Sequence, residues 1–281
     1  MNYKTSNSIY EKRISFILIT KDRPDLVQIA LDNLKKILTK EDELILVNGG
    51  ESNINNPLIN KTIKEKDKSP GHAINKGIMI SEGRYIRTVS DDDIIRKQQL
   101  NEAVDILDKN LSIDFLVCGG IRERENEKYP FYIPENSNYG ENKHDISKFG
   151  ACGQGFIIRT SSLPLIGLHP TGLASDVEYV IQAIANGGNV KFCRINLFHH
   201  PIHKDSVTIK YKSLWQDDLN KIYKKYNIKI KEKPFHRKLL GFIYKTLLPT
   251  SYENRQKKNQ KVNFNKDLLN ENSPLWDKGF S

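Results

Sequence analysis

Uninterrupted apolar runs alternate with amphipathic segments along residues 13–206. Four of the runs are RISFILIT (13–20), ELILVN (43–48), RYIRTVS (84–90) and IDFLVCGG (113–120). A short run that is apolar on both faces is typical of a strand buried inside a parallel sheet. The segments between the runs repeat apolar residues every three or four positions, as PDLVQIALDNLKKIL and KQQLNEAVDIL do, which is typical of helices. The pattern predicts an α/β fold, with a mostly parallel sheet and helices on both of its faces.

Two of the predicted helices begin at capping signals. Asp22 is predicted to cap the helix that Pro24 opens, since short acids cap helices and proline fits the first turn. Ser175 and Glu178 have the spacing of a capping box, which makes Ser175 the predicted N-cap of a helix over 175–186.

Two stretches depart from this alternation. Residues 121–150 are polar and contain Pro, Gly, Asn and Tyr, so they are predicted to form an irregular loop. Later the chain becomes basic and helical, and we therefore predict one domain over 1–206 and a basic helical C-terminal extension over 207–281. Apolar residues recur at helical spacing between Phe235 and Leu247. The extension therefore either packs on the domain or lies on an anionic membrane surface.

The chain is basic and has few cysteines. Its net charge of +10 over 281 residues suggests an anionic partner, although compositional drift towards lysine explains the excess equally well. The chain has three cysteines, Cys118, Cys152 and Cys193, and no CxxC motif. We therefore expect buried free thiols rather than a disulfide framework or a zinc site. No apolar run has the length of a membrane span or a signal-peptide core, which predicts a cytoplasmic protein.

Three consecutive carboxylates, Asp91 to Asp93, follow the run RYIRTVS directly. The carboxyl ends of parallel strands form the edge at which α/β sheets bind ligands. In an extended chain Asp91 and Asp93 would share a face, and two carboxylates together suit Mg²⁺ or Mn²⁺. The alternative is a solvated acidic turn before the next helix, where acids are also stabilising.

Five segments occur in a characteristic order: SFILITKDRPDLVQIALDNL, LILVNGGES, GHAINKGIMISEGRYIRTVSDDDII, GQGFIIRTSSLPLIG and SDVEYVIQAIANGGNVKF. In order and spacing they resemble the family 2 glycosyltransferases of the GT-A fold, which are inverting enzymes that use nucleotide-diphosphate sugars. The resemblance covers residues 13–206 and implies a Rossmann-like sheet.

The resemblance implies roles for residues at the strand ends. Asp92 would bind the metal ion, Mn²⁺ or Mg²⁺, and Asp91 the donor ribose. The spacing argument instead pairs Asp91 with Asp93, so all three are candidate metal ligands. The nucleotide site would also include Thr20, Arg23, Asn48 and Asn75. Asn48 stands where many relatives have an aspartate that reads the base, and an amide both donates and accepts hydrogen bonds.

The remaining implied roles fall on an acidic helix start and a histidine cluster. Asp176 would be the general base that accepts a proton from the acceptor hydroxyl, with Glu178 as the second candidate; alternatively, Asp176 is only a first-turn acid. His200 and His203, followed by His199, are candidate metal ligands in the segment FHHPIHKDS. They are otherwise surface or diphosphate-binding histidines.

The resemblance thus implies a metal-dependent inverting glycosyltransferase. It would move a sugar from a nucleotide-diphosphate sugar to a glycan or lipid-linked acceptor, in the cytoplasm or on the inner membrane face. A sugar nucleotidyltransferase is the alternative enzyme, but that class needs a glycine-rich loop where this chain has TKDRPD. A basic nucleic-acid-binding domain would leave Asp91 to Asp93 unexplained, since acids repel phosphates, so no nucleic-acid partner is expected.

Overall fold

A computed structural model describes residues 10–124, 127–131, 151–202 and 210–228 of the chain. The strands are β1 Lys12–Thr20, β2 Glu43–Asn48, β3 Lys61–Lys64, β4 Gly83–Ser90, β5 Ile94–Ile95, β6 Phe115–Arg124, β7 Glu127–Phe131, β8 Phe156–Arg159 and β9 Val190–Ile202. The helices are α1 Pro24–Ile37, α2 Pro70–Met79, α3 Lys97–Lys109, α4 Leu163–Ile166, α5 Ser175–Ala185 and α6 Lys212–Lys225, with 3₁₀ turns at Gly153–Gly155 and Thr160–Ser162.

All nine strands belong to one mixed sheet with the order β3-β2-β1-β4-β8-β6-β9-β5, and β7 pairs with the outer part of β6. The pairs β3–β2, β2–β1, β1–β4 and β6–β9 are parallel, which confirms the predicted mostly parallel α/β architecture. Strand β8 runs antiparallel to both β4 and β6. Because β8 is reversed, the turn that precedes it lies at the same edge as the carboxyl end of β4.

Apolar layers cover both faces of the sheet, as predicted. One layer is formed by α1 and α3, which bury Leu31, Leu34 and Leu100 against it. The other contains residues of α2, α5 and α6. Helix α2 lies so close to the sheet that a Cβ atom on Gly77 would stand 2.4 Å from Cγ2 of Ile17. Gly77 is therefore required by close packing of α2 on the sheet.

Both predicted caps are wrong. Helix α1 has Arg23 as its N-cap residue and begins at Pro24 without a side-chain cap. Asp22 has a φ of 55°, and its Oδ1 accepts a hydrogen bond from the Glu51 amide 2.9 Å away, so its carboxylate is used by the neighbouring loop.

Helix α5 has Ala174 as its N-cap residue, and Ser175 is the first helical residue rather than the cap. The Ala174 amide donates to Oδ2 of Asp218 in α6 at 3.0 Å. A carboxylate from another helix therefore replaces the local capping box.

The prediction of an irregular segment over 121–150 is wrong for its first part. Strands β6 and β7 form an antiparallel hairpin in which Arg122 pairs with Tyr129. Residues 132–150 lie outside the described residues.

Helix α6 is the described part of the predicted C-terminal extension. It buries Leu219, Ile222 and Tyr223 in the same core layer as α5, and Lys225 pairs with Glu178 at 2.7 Å. The apolar stripe between Phe235 and Leu247 lies outside the described residues, and the domain boundary at residue 206 stays a prediction. Within the described ranges, no helix combines the length and the apolar character needed to cross a membrane.

The three cysteines are buried and unpaired by disulfides, as predicted. Cys118 and Cys193 face each other in the register between β6 and β9, with their sulfur atoms 3.2 Å apart. Burial raises the pKa of the Cys118 thiol well above its ordinary value and that of Cys152 to about 12.

Candidate active site

The three aspartates form a buried turn at the carboxyl end of β4. The Asp93 amide donates to the Ser90 carbonyl at 3.2 Å, and the Ser90 amide donates to Oδ2 of Asp93 at 3.0 Å. Asp91 and Asp93 are 0% and 1% exposed and Asp92 is 9% exposed. The alternative of a solvated acidic turn is therefore wrong. So is the extended geometry that would have put Asp91 and Asp93 on one face.

Asp91 is bound by Thr20, the last residue of β1, and by Arg23, the N-cap residue of α1. Its Oδ2 accepts a hydrogen bond of 2.7 Å from the Thr20 hydroxyl, and its Oδ1 lies 2.6 Å from Nη2 of Arg23. This second contact is an ion pair without hydrogen-bond alignment. Burial raises the pKa of Asp91 to about 6, while Thr20 and Arg23 oppose that rise. Arg23 also stands 4.0 Å from Asp92. Thr20 and Arg23 thus lie beside the acidic turn, as predicted.

Asp92, Asp93 and His200 form a group with the dimensions of a metal site. One ligand atom from each lies within 4.8 Å of the others. Nδ1 of His200 is 2.9 Å from Oδ1 of Asp93. Burial opposes the charged imidazole, but the hydrogen bond and charge of Asp93 and the charge of Asp92 raise the pKa of His200 overall. Two carboxylates and an imidazole fit Mn²⁺, and the carboxylates alone would fit Mg²⁺.

The other candidate histidines are not part of this group. Nε2 of His199 lies 2.9 Å from Oε2 of Glu123 in β6. His203 lies outside the described residues. The structure therefore brings His200 alone among the three candidates to the acidic turn within the described part of the chain.

A small cavity joins the acidic turn to Asp176. Its lining includes Asp93, Gly153, His169 and Asp176. Oδ2 of Asp176 accepts a hydrogen bond from the Gly153 amide at 2.9 Å, which fixes the carboxylate at the cavity wall. Glu178 is not a lining residue, because its carboxylate binds Lys225 of α6.

Two of the predicted nucleotide-site residues use their amides to bind backbone. Asn48 is 2% exposed, and its Nδ2 donates to the Ser52 carbonyl at 2.6 Å while its Oδ1 accepts from the Gly50 amide at 2.9 Å. Asn75 donates to the His169 carbonyl at 2.8 Å and accepts from the His169 amide at 2.9 Å. Asn48 therefore holds the turn after β2, and Asn75 holds the segment that carries His169.

Sequence reasoning missed two residues of this site, His169 and Arg87. His169 is 4% exposed, its Nδ1 lies 2.9 Å from the Pro170 carbonyl, and burial lowers its pKa. Arg87 is fully buried in β4, with its guanidinium directed at backbone carbonyls. The signal for Arg87 was a charged residue inside the apolar run RYIRTVS, whereas His169 had no comparable signal.

Comparisons with known proteins find similarity to glycosyltransferases. The family model described as Glycosyl transferase family 2 matches residues 15–164, which is just over half of the chain. An uncharacterized glycosyltransferase of Rickettsia prowazekii is 23% identical over 244 residues, which cover 80% of this chain and 77% of that protein. A second uncharacterized glycosyltransferase, from Rickettsia typhi, is also 23% identical, and the aligned residues cover 79% of this chain and 76% of that protein.

Solved structures share the fold at low identity. The structure of S. aureus TarS 1-349 in complex with UDP-GlcNAc superposes with a TM-score of 0.58 and 16% identity, covering 83% of this chain and 72% of that one. The mannosyltransferase PcManGT of Pyrobaculum calidifontis, in complex with GDP-Man and Mn²⁺, gives a TM-score of 0.57 and 15% identity, covering 80% and 67%. In another TarS structure the chain spans 43% of the TarS chain, with a TM-score of 0.55 and 17% identity.

Proposed function

Because this chain belongs to glycosyl transferase family 2, we propose that it is a metal-dependent inverting transferase. It moves a sugar from a nucleoside-diphosphate sugar to a hydroxyl of a glycan or lipid-linked acceptor. The observation that carries the proposal is that a candidate metal ligand and a candidate base line the same cavity. Asp93, one of three clustered metal-ligand candidates, and Asp176, a carboxylate held by a backbone amide, line the same small space.

The donor half of the proposal rests on the acidic turn. Asp92, Asp93 and His200 would hold Mn²⁺ or Mg²⁺, and a divalent cation there would offset the charge that develops on a departing diphosphate. Two solved structures of the same fold are complexes with UDP-GlcNAc and with GDP-Man and Mn²⁺, which supports a nucleotide-sugar donor. Asp91 is already matched by Thr20 and Arg23. It is therefore less suited than Asp92 and Asp93 to act as a metal ligand.

The acceptor half rests on Asp176. In an inverting transfer one carboxylate takes the proton of the acceptor hydroxyl while its oxygen attacks the anomeric carbon, as the base carboxylate of an inverting glycosidase activates water. The Gly153 amide binds Oδ2 of Asp176, which leaves Oδ1 for the incoming hydroxyl. Glu178 is the weaker candidate, because Lys225 occupies its carboxylate.

The cellular location and the acceptor are proposed from the sequence alone. The basic charge of +10 and the apolar stripe beyond residue 228 suit an enzyme on the inner face of a membrane, where a lipid-linked acceptor is presented. If the stripe instead packs on the domain, the enzyme would be cytoplasmic and could use a soluble glycan as its acceptor.

A thermal-shift titration with UDP- and GDP-sugars, each with and without Mn²⁺, tests the donor site. A bound donor raises the melting temperature in proportion to the logarithm of its concentration above Kd. We expect a shift that requires the metal in the wild type and that disappears in Asp92→Asn. Asp105→Asn, at an exposed acid of α3, is the matched control and should keep the shift.

Transfer assays with the donor so identified test the base. Asp176→Asn keeps an oxygen that can accept from the Gly153 amide but cannot take a proton. It should therefore bind the donor like the wild type and lose transfer. Full turnover by Asp176→Asn would refute the base assignment, and metal-independent donor binding would refute the role of the acidic turn.

A further inference from the structure

A buried arginine stands behind the turn that holds Asp176. Arg87 lies inside β4 and is 0% exposed. Its Nη1 donates to the carbonyls of Thr88, Gly153 and Phe156 at 2.9, 3.3 and 3.4 Å, and its Nη2 donates to the carbonyl of Gln154. In the described part of the chain, the hydrogen-bond partners of Arg87 are all backbone carbonyls, three of them in one short turn.

That turn, Gly153–Gly155 followed by Phe156, is fixed from several sides. The Gly155 amide donates to the Cys152 carbonyl at 2.8 Å. A Cβ atom on Gly155 would stand 2.1 Å from the Cys118 carbonyl oxygen, so the turn rests directly on the backbone of β6. From this position the Gly153 amide reaches Asp176. The direction of the Gly153 amide therefore depends on the carbonyls that Arg87 binds on the other side of the same turn.

Burying a guanidinium at the centre of a sheet is unfavourable, and an apolar side chain would fill this position at lower cost. Burial lowers the pKa of Arg87 to about 10, while the charge of Asp93 raises it, so the group stays charged near neutral pH. Among the residues that the structure describes, its Nε has no hydrogen-bond partner. The planar fork of an arginine presents donors from separate nitrogens in a rigid arrangement, whereas the three donors of lysine share one nitrogen, so a lysine would not reproduce the contacts of both Nη1 and Nη2.

We propose that Arg87 is a positioning residue for transfer: it holds the Gly153–Phe156 turn so that the Gly153 amide orients the carboxylate of Asp176. This inference rests on the proposed function, in which Asp176 is the base. It adds a residue of β4 that touches neither the donor nor the acceptor. Because Arg87 also lies near Asp93, it connects the base to the strand that ends at the acidic turn.

The test is Arg87→Lys, with Arg159→Lys as the matched control. Arg159 is also a buried arginine, but it binds the carbonyls of Ile113, Leu107 and Asn110, away from the cavity. Both variants are assayed well below their melting temperatures. We expect Arg87→Lys to lower kcat about 10- to 100-fold, since misplacement of a catalytic group by about 1 Å has that effect. The donor Kd should stay within about twofold, and Arg159→Lys should keep the wild-type kcat.

A double-mutant cycle separates positioning from general stability. If Arg87 acts through Asp176, Arg87→Lys should have no further effect on the residual rate of Asp176→Asn. The proposal is overturned if Arg87→Lys keeps the wild-type kcat, if kcat and donor binding fall together, or if its effect persists in Asp176→Asn. Where Arg87→Lys does not fold, Arg87→Gln replaces it. Failure of both to fold while Arg159→Lys folds would assign Arg87 a purely structural role.

The same measurements distinguish failure of the proposed function from failure of the Arg87 proposal. If the wild type shows no transfer with any donor, or if Asp176→Asn transfers normally, the base assignment is lost. The Arg87 proposal fails alone when the wild type transfers, Asp176→Asn does not, and Arg87→Lys is fully active.

Discussion

Protons and the metal ion should compete for His200. Its Nδ1 lies 2.9 Å from Asp93, and the charges of Asp93 and Asp92 raise its pKa above the ordinary value of 6.5 despite burial. Below that raised pKa the imidazole is protonated and pairs with Asp93. A metal ligand must be neutral imidazole, so binding of Mn²⁺ has to displace this proton. Affinity for Mn²⁺ should therefore be constant at high pH and fall as the pH is lowered through the pKa of His200.

The size of the effect follows from proton linkage. Below the pKa each pH unit weakens the apparent affinity about tenfold. A group at the ordinary value would lose about tenfold between pH 8.0 and pH 5.5, and the raised pKa of His200 makes the loss larger. Isothermal titration of Mn²⁺ in the presence of a nucleoside diphosphate, repeated at half-unit pH intervals, measures this slope.

Two neighbouring substitutions make the measurement specific. His200→Gln supplies an oxygen ligand that does not titrate, so Mn²⁺ should bind more weakly at pH 8.0 but with a much flatter pH dependence. His199→Gln should keep the wild-type slope, because His199 pairs with Glu123 outside the metal group. An unchanged slope in His200→Gln would mean that His200 is not a ligand and that another group, such as Asp91, controls the pH dependence.

Three further predictions concern the support of the site. Gly77→Ala should lower the free energy of unfolding by about 1–3 kcal/mol in urea titrations, since its Cβ would overlap Ile17; unchanged stability would contradict the close packing. Asn75→Ala leaves both backbone groups of His169 without their side-chain partners and should raise the acceptor KM while donor Kd is unchanged, with Lys76→Ala as control. Asp218→Ala removes the acceptor at the amino end of α5 and should lower the free energy of unfolding by about 1–3 kcal/mol. A decrease no larger than that caused by substituting an exposed acid would contradict this prediction.

The sheet could be predicted from the sequence because strands such as β1 and β2 are apolar on both faces. The run predicted at 13–20 is β1, Lys12–Thr20, and the run at 43–48 is β2. The direction of β8 could not be predicted, since the four residues FIIR carry no signal that distinguishes parallel from antiparallel pairing. Its reversal is what places the Gly153–Gly155 turn in the active-site wall.

Individual site residues could be predicted from the sequence, but the residues that each one contacts depend on the topology of the sheet. The pairing of His200 with Asp93 joins residues 107 positions apart, and only the adjacency of β5 and β9 brings them together. The caps failed for a similar reason. Ser175 has the local pattern of a cap, yet the amide at the start of α5 is bound by a carboxylate from α6. Tertiary contacts therefore overruled local capping preferences.

The buried thiols described with the fold provide an internal reporter of unfolding. Cys118 and Cys193 lie on the adjacent strands β6 and β9 and belong to the apolar layer that α1 and α3 form with the sheet, so a reagent can reach either only when that layer opens. Alkylation of these sulfurs should thus follow opening of the sheet interior rather than fluctuations of the surface. A ligand that closes the active-site edge would slow their labelling without touching them.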